Sequence, residues 1–157
     1  MKGNEKILDA LNMLLADELT SINQYMVESE MCADWDYQKL HEAIEKRAID
    51  EMKHAEKLIG RILFLEGKPI VSNLNKINIG ATVDQQHKND HEAELVAIKA
   101  YNDSIRLAVE VGDNGTRDLL EEILEDEEEH IDWIEAQLDQ IEQIGLQVYL
   151  GMQLTEE

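Results

Sequence analysis

Glu18-Leu19-Thr20-Ser21-Ile22-Asn23-Gln24-Tyr25 returns as Glu94-Leu95-Val96-Ala97-Ile98-Lys99-Ala100-Tyr101, with Glu, Leu, Ile and Tyr at the same four places 76 residues apart. Glu51-Met52-Lys53-His54 returns as Glu127-Glu128-Glu129-His130 at the same offset. Glu fills 22 of 157 positions, so one Glu-x-x-His carries little information; the shared offset carries it. The first half of the chain therefore repeats as the second.

Apolar residues around these segments recur at helical spacing. A first helix runs from about Ile7 to Cys32, and the Asp34 to Asp36 segment breaks it. A second runs from about Tyr37 to Glu66, with Gly67 expected in the left-handed closing position and Pro69 barring continuation. Lys68 to Ala81 lacks helical periodicity and is long for a bundle connection, which permits a crossover. Thr82 with Gln85 reads as a capping box opening a third helix that closes near Gly112. Asp113 to Thr116 reads as a tight turn, a fourth helix reaches about Ile144, and Leu146 to Gln153 forms a short fifth piece after Gly145. The fold class is all-α, one domain over residues 1–157: a four-helix bundle with a long crossover between helices two and three and a short C-terminal helix.

The repeated acids interrupt apolar stripes. Leu11, Leu14, Glu18, Ile22 and Tyr25 share a face, as do Ile44, Ala48, Glu51, Ala55, Leu58 and Ile62, and as do Leu120, Ile123, Glu127, His130, Ile134 and Leu138. Glu18, Glu51, Glu94 and Glu127 thus point inward with His54 and His130. A lone buried histidine is more often a satisfied core residue than a ligand. Four carboxylates are different, because burying each unpaired costs several kcal/mol and they repel one another. Two divalent cations cancel four negative charges, and carboxylate with imidazole suits iron, manganese or zinc.

Composition narrows the partners. A net charge of -21 leaves no basic patch for nucleic acid or an anionic membrane, and suits cations. Cys32 is alone, so there is no intrachain disulfide and no Cys-x-x-Cys pair. Met1 to Asp9 has no apolar signal core and no stretch is long enough to span a bilayer, so the expected location is the cytoplasm.

A Glu from each of two helices with Glu-x-x-His from two others is the established di-iron carboxylate pattern of ferritin-like bundles. Beyond it, Asp17-Glu18-Leu19, Ile22-Asn23-Gln24-Tyr25, Asp50-Glu51-Met52-Lys53-His54-Ala55, Arg61-Ile62-Leu63-Phe64-Leu65-Glu66-Gly67 and Asp126-Glu127-Glu128-Glu129-His130-Ile131-Asp132-Trp133 make the chain resemble the bacterioferritin family over nearly its whole length. The resemblance implies a ferritin-like homo-oligomer of about 24 subunits built from dimers. It implies a ferroxidase that oxidises Fe(II) with O2 or H2O2 and deposits ferric mineral inside the shell. It implies that Glu18, Glu51, His54, Glu94, Glu127 and His130 hold two iron ions per subunit, with Glu51 and Glu127 as bridges and Tyr25 beside them. Met52 matches the methionine that ligates haem b shared between two subunits, and a small ferredoxin is implied as electron donor for iron release. Ile49, Met52, Ile59 and Leu63, joined by Met31 and Trp35, form a second apolar stripe suited to a subunit contact.

Two departures stand out. Lys46 and Arg47 occupy places where the family often has a histidine and a glutamate, which puts an accessory interior iron site in doubt. His87 and His91 share the face of Glu94; they read either as solvated or as a second metal station with Asp84 or Asp90. Two other functions remain open at this point. One is a non-storage di-iron oxidase or peroxidase of the rubrerythrin type, disfavoured by the missing Cys-x-x-Cys. The other is a haem-binding or metal-binding assembly protein without turnover.

Overall fold

The computed structural model describes residues 1–154. Five helices follow in order: α1 (Glu5–Asp34), α2 (Gln38–Phe64), α3 (Val83–Glu110), α4 (Asn114–Ile144) and α5 (Leu146–Gly151). The long four pack chiefly as α1 on α2 and α3 on α4. This is the bundle expected from the repeat. Among the described residues no helix is long and apolar enough to cross a membrane.

The caps explain the boundaries. Asn4 opens α1 by accepting from the Lys6 amide at 2.8 Å. At the end of α2 the left-handed position falls to Glu66, at φ 61°, and not to Gly67. Gly67 instead lets the chain pass close over α1: a Cβ there would stand 2.4 Å from Leu8 Cδ2, so the Leu8 side chain would have to move aside. Thr82 takes the cap position of α3, but its hydroxyl makes no capping bond, and Gln85 donates to Asn89 instead of closing a box. Asp113 to Thr116 is the first turn of α4 rather than a separate turn. Asp113 accepts from the Thr116 amide at 3.0 Å and from the Thr116 hydroxyl at 2.6 Å, and Arg61 of α2 donates to both residues.

The crossover, residues 65–82, is tied to α1 along its length. The Ile70 amide donates to Asn12 Oδ1, the Asn75 amide to Thr20 Oγ1 and the Asn78 amide to Gln24 Oε1. Backbone groups of a segment without secondary structure thus find partners in α1 side chains.

Two apolar clusters make the core. Ile7, Leu11, Leu14, Leu58, Ile62, Leu120 and Ile123 fill one end, while Cys32, Leu40, Ile44, Val83 and Tyr149 fill the other. Each fully buried Leu or Ile contributes about 1.5–3 kcal/mol. Between the two clusters lies a layer of buried charge.

Candidate metal centre

Four helices each bring one glutamate to that layer: Glu18 from α1, Glu51 from α2, Glu94 from α3 and Glu127 from α4, all fully buried. His54 follows Glu51, and His130 follows Glu127, by three residues, so each imidazole lies beside its glutamate on one helix face. Glu18, Glu51, His54 and Glu127 each offer a donor atom within 4.8 Å of the others, and so do Glu51, Glu94, Glu127 and His130. The two sets share Glu51 and Glu127. All six residues singled out by the repeat are therefore brought together.

The imidazoles are oriented from behind. His54 Nε2 meets Asp126 Oδ2 at 2.8 Å, and His130 Nε2 meets Asp50 Oδ2 at 3.2 Å. A carboxylate only accepts, so Nε2 carries the hydrogen and Nδ1 faces inward. Nδ1 of His54 is 2.9 Å from Glu127 Oε1, and Nδ1 of His130 is 3.0 Å from Glu51 Oε1. Two tyrosines orient the outer glutamates: Tyr25 donates to Glu94 Oε1 at 2.6 Å, and Tyr101 donates to Glu18 Oε1. Asp50, Asp126 and Tyr101 were not among the expected site residues. The 76-residue offset relates Asp50 to Asp126 and Tyr25 to Tyr101, and that signal finds them.

The inward atoms are without hydrogen-bond partners. Glu18 Oε2, Glu51 Oε1, Glu94 Oε2, both oxygens of Glu127, and Nδ1 of His54 and of His130 are buried and unsatisfied. Such groups ordinarily pair, so acceptors converging on one dry space require a cation. Protons substitute in part. Burial, then Glu18 and Glu127, pushes Glu51 well above the usual carboxylate range. Burial, then Glu127, does the same to Glu94. Burial also opposes charge on Glu127, but the neighbouring Glu94, His130 and His54 outweigh it and hold that carboxyl low. Burial opposes charge on His54 as well, yet Glu127 and Glu18 raise it to about 10.

Residues 8–144 match the ferritin-like domain family. Bacterioferritin of Brucella melitensis is 38% identical over 149 residues, which cover 95% of this chain and 92% of that one. Bacterioferritin of Mycolicibacterium paratuberculosis is also 38% identical, over 95% of this chain and 94% of its own. A bacterial ferritin of Synechocystis is 40% identical over 156 residues, 99% of this chain and all of that one. The chain belongs to the bacterioferritin family.

Around the bacterioferritin-family centre, the two departures take unexpected places. His87 is 0% exposed, not solvated: the short α5 lays Tyr149 over it, with His87 Nε2 donating to Tyr149 Oη at 3.0 Å and Tyr149 donating to Gln137 at 2.7 Å. Burial, then Arg47, drives His87 down to about 3. His91 pairs instead with Glu135 at 3.0 Å on the outside. Among the described residues neither histidine joins a group of three metal-type donors, so the second station with Asp84 or Asp90 does not form. Asp90 is occupied by Gln24 and Arg47. Lys46, Arg47, Asp50, Asp126, Glu129 and His130 line a cleft of about 530 Å³ that reaches the His130 side of the centre. Met52 is 44% exposed, as is its α2 neighbour one turn back, Ile49, at 43%.

Proposed function

We propose that this chain stores iron, oxidising Fe(II) to Fe(III) at the six-residue centre with O2 or H2O2 as acceptor and depositing the product as mineral in a shell of about 24 copies. The observation that carries the reading is the set of buried, partnerless donor atoms aimed into one space. Two divalent ions supply the matching charge, and iron bound there as substrate gives up one electron per ion.

The chain's own residues then have definite work. Glu18 and Glu94 each hold one ion from the outside, their second oxygen fixed by Tyr101 and Tyr25. Glu51 and Glu127 belong to both donor sets and would be shared between the two ions. His54 and His130 present Nδ1, with Asp126 and Asp50 holding the Nε2 hydrogen. Leaving the apo state releases the protons that Glu51 and Glu94 hold, and the cleft beside His130, lined by Asp50, Asp126 and Glu129 together with Lys46 and Arg47, gives ions and those protons a way to solvent.

Haem fits a second place. The half-exposed Met52 thioether, standing on an uncovered apolar stripe, is free to ligate haem b between two copies, one methionine from each. Met52→Leu is expected to abolish the haem absorbance of the purified protein while Fe(II) oxidation continues.

The deciding experiment is light scattering of the purified particle, followed by absorbance during anaerobic Fe(II) loading and then air exposure. A particle of about 24 subunits that turns over many irons per chain supports oxidation and storage together. A dimer that stops at about two irons per chain refutes storage and leaves a non-storage oxidase.

A further inference from the structure

The two halves of the centre are unequally surrounded. Tyr25 and Tyr101 stand at matching places in the repeat, and each donates to one outer glutamate, Tyr25 to Glu94 and Tyr101 to Glu18. Against the Tyr25 ring lies the guanidinium of Arg47, 4.9 Å from the ring centre, with the Trp133 ring 4.8 Å from the same cation. Arg47 is 4% exposed and reaches Asp90 at 3.4 Å. The 76-residue offset takes Arg47 to Ile123 and Asp90 to Leu14, and both of these pack in one apolar cluster with Tyr101. The Glu18 half therefore has hydrocarbon where the Glu94 half has a buried cation.

That cation stands on the side of the second donor set. Arg47 lines the same cleft as His130, and the ring it covers holds Glu94. Asp90 offsets part of the charge, but it is fully buried, is shared with the Gln24 amide at 2.9 Å and does not line the cleft. A divalent ion brings two positive charges to this half and displaces one proton. It stands only about 2 Å beyond the carboxylate oxygen that holds it, so repulsion of the ion by Arg47 exceeds the relief gained from the lost proton. Exposure acts in the same direction: the His130 side chain is 11% exposed and that of His54 is 2%.

We propose that Arg47 makes the two metal positions unequal, so that a divalent ion is held more tightly by Glu18 and His54 than by Glu94 and His130, and the second position is the one that exchanges with solvent. This inequality presupposes the two-metal centre proposed above, in which Glu51 and Glu127 serve both positions alike. Two identical halves would give the first ion no preference. One unscreened charge at roughly 10 Å and an effective dielectric constant of about 20 changes an affinity by somewhat more than tenfold, and partial screening by Asp90 leaves a gap of about three- to tenfold.

Zinc is the probe, because it is redox-inert and its anomalous scattering locates it. Crystals of the whole assembled, metal-free protein soaked with limiting zinc are expected to show the peak between Glu18 and His54 about three to ten times stronger than the one between Glu94 and His130. In the double variant Arg47→Met, Asp90→Asn, which removes the cation together with its counter-charge, the two peaks are expected to come within about twofold of each other. Calorimetric zinc titration of the same proteins is expected to show two affinities in the native chain that converge in the variant. Arg47→Lys keeps the charge and is expected to keep the gap. Equal peaks in the native protein, a stronger peak at Glu94 and His130, or an unchanged gap in the double variant overturns the proposal. A gap lost in Arg47→Lys overturns charge as its cause. Zinc absent from both positions overturns the reading of the centre itself, so the two failures are distinguishable.

Discussion

His54 Nε2 lies 2.8 Å from Asp126 Oδ2, an acid that stands immediately before Glu127 on a different helix. Its repeat image, His130 with Asp50, which precedes Glu51, closes at 3.2 Å in the opposite direction. The supports are crossed: the ring on α2 is held from α4 and the ring on α4 from α2. Each bond puts a hydrogen on Nε2 and turns Nδ1 inward, where a metal ion would displace the proton that His54 holds in the apo chain. The centre is thus aligned by two acids that never face it.

Asp126→Ala tests that alignment. Without the acid, His54 loses the partner that fixes its tautomer and ring angle, while all six inward donors remain. Loss of such an outer partner typically weakens metal affinity about 10–100-fold. Zinc titration by calorimetry on the assembled protein is expected to show that drop at one of the two ions only. Unchanged affinity would show that packing alone orients His54.

Apo stability is expected to fall as the solution is made alkaline, and zinc is expected to reverse the trend. Glu51 and Glu94 have raised pKa values, so above the ordinary carboxylate pKa the folded apo chain binds protons that the unfolded chain has lost. Stability from those protons is present at low pH and is lost as pH rises toward the folded values. Zinc displaces the protons, so its binding strengthens with pH; at a thousand times Kd it stabilises by about 4 kcal/mol. Thermal melts of apo and zinc-loaded protein at pH 7 and 8.5 measure both slopes. In Glu51→Gln, which lacks one shared donor, the rise with zinc is expected to shrink by more than half.

The centre was legible because four helices of similar length repeat one pattern, and a repeat distinguishes six residues from the many other acids. Asp50 and Asp126 stand in that pattern too, but a strong stripe marks only the inward face, and both lie just off it. The ends of the bundle were less legible. Whether His87 meets water depends on where α5 folds back, and six residues of helix carry too little periodicity to place Tyr149 over it. Glu66 and not Gly67 takes the positive φ, and Gly67 instead lies close to Leu8, 59 positions away in sequence, a contact that no local rule contains.

Arg47 is the cation of a buried cluster that the repeat does not reveal. Its guanidinium lies 4.9 Å from the Tyr25 ring centre and 4.8 Å from that of Trp133, and it reaches Asp90 at 3.4 Å. Glu28 beside Asp90 is 0% exposed and finds no donor; burial, then Asp90, pushes it up to about 11, so it carries its own proton. One arginine therefore balances one carboxylate. Arg47→Met removes the cation beside Asp90 and leaves that buried acid with the Gln24 amide alone, at a cost of about 3–5 kcal/mol in denaturant unfolding. Arg47→Met with Asp90→Asn is expected to recover most of that loss, and additive losses in the double variant would show the two residues uncoupled.

Acid sensitivity below neutrality is expected to come from His87. Burial first and Arg47 second hold its pKa at about 3, with Asp84 opposing weakly, while the unfolded value is about 6.5. The sign follows from which state binds the proton. Between those values the unfolded chain takes up a proton that the folded chain refuses, so the stability is complete above about pH 6.5 and is lost as pH falls. From pH 6.5 to 5 the loss is about 2 kcal/mol. His87→Gln keeps a donor for Tyr149 Oη and cannot titrate. Chelator-treated wild type and variant, unfolded in urea at both pH values, are expected to differ in their acid loss by about that amount. Parallel losses would mean that α5 opens and hydrates His87 before the bundle unfolds.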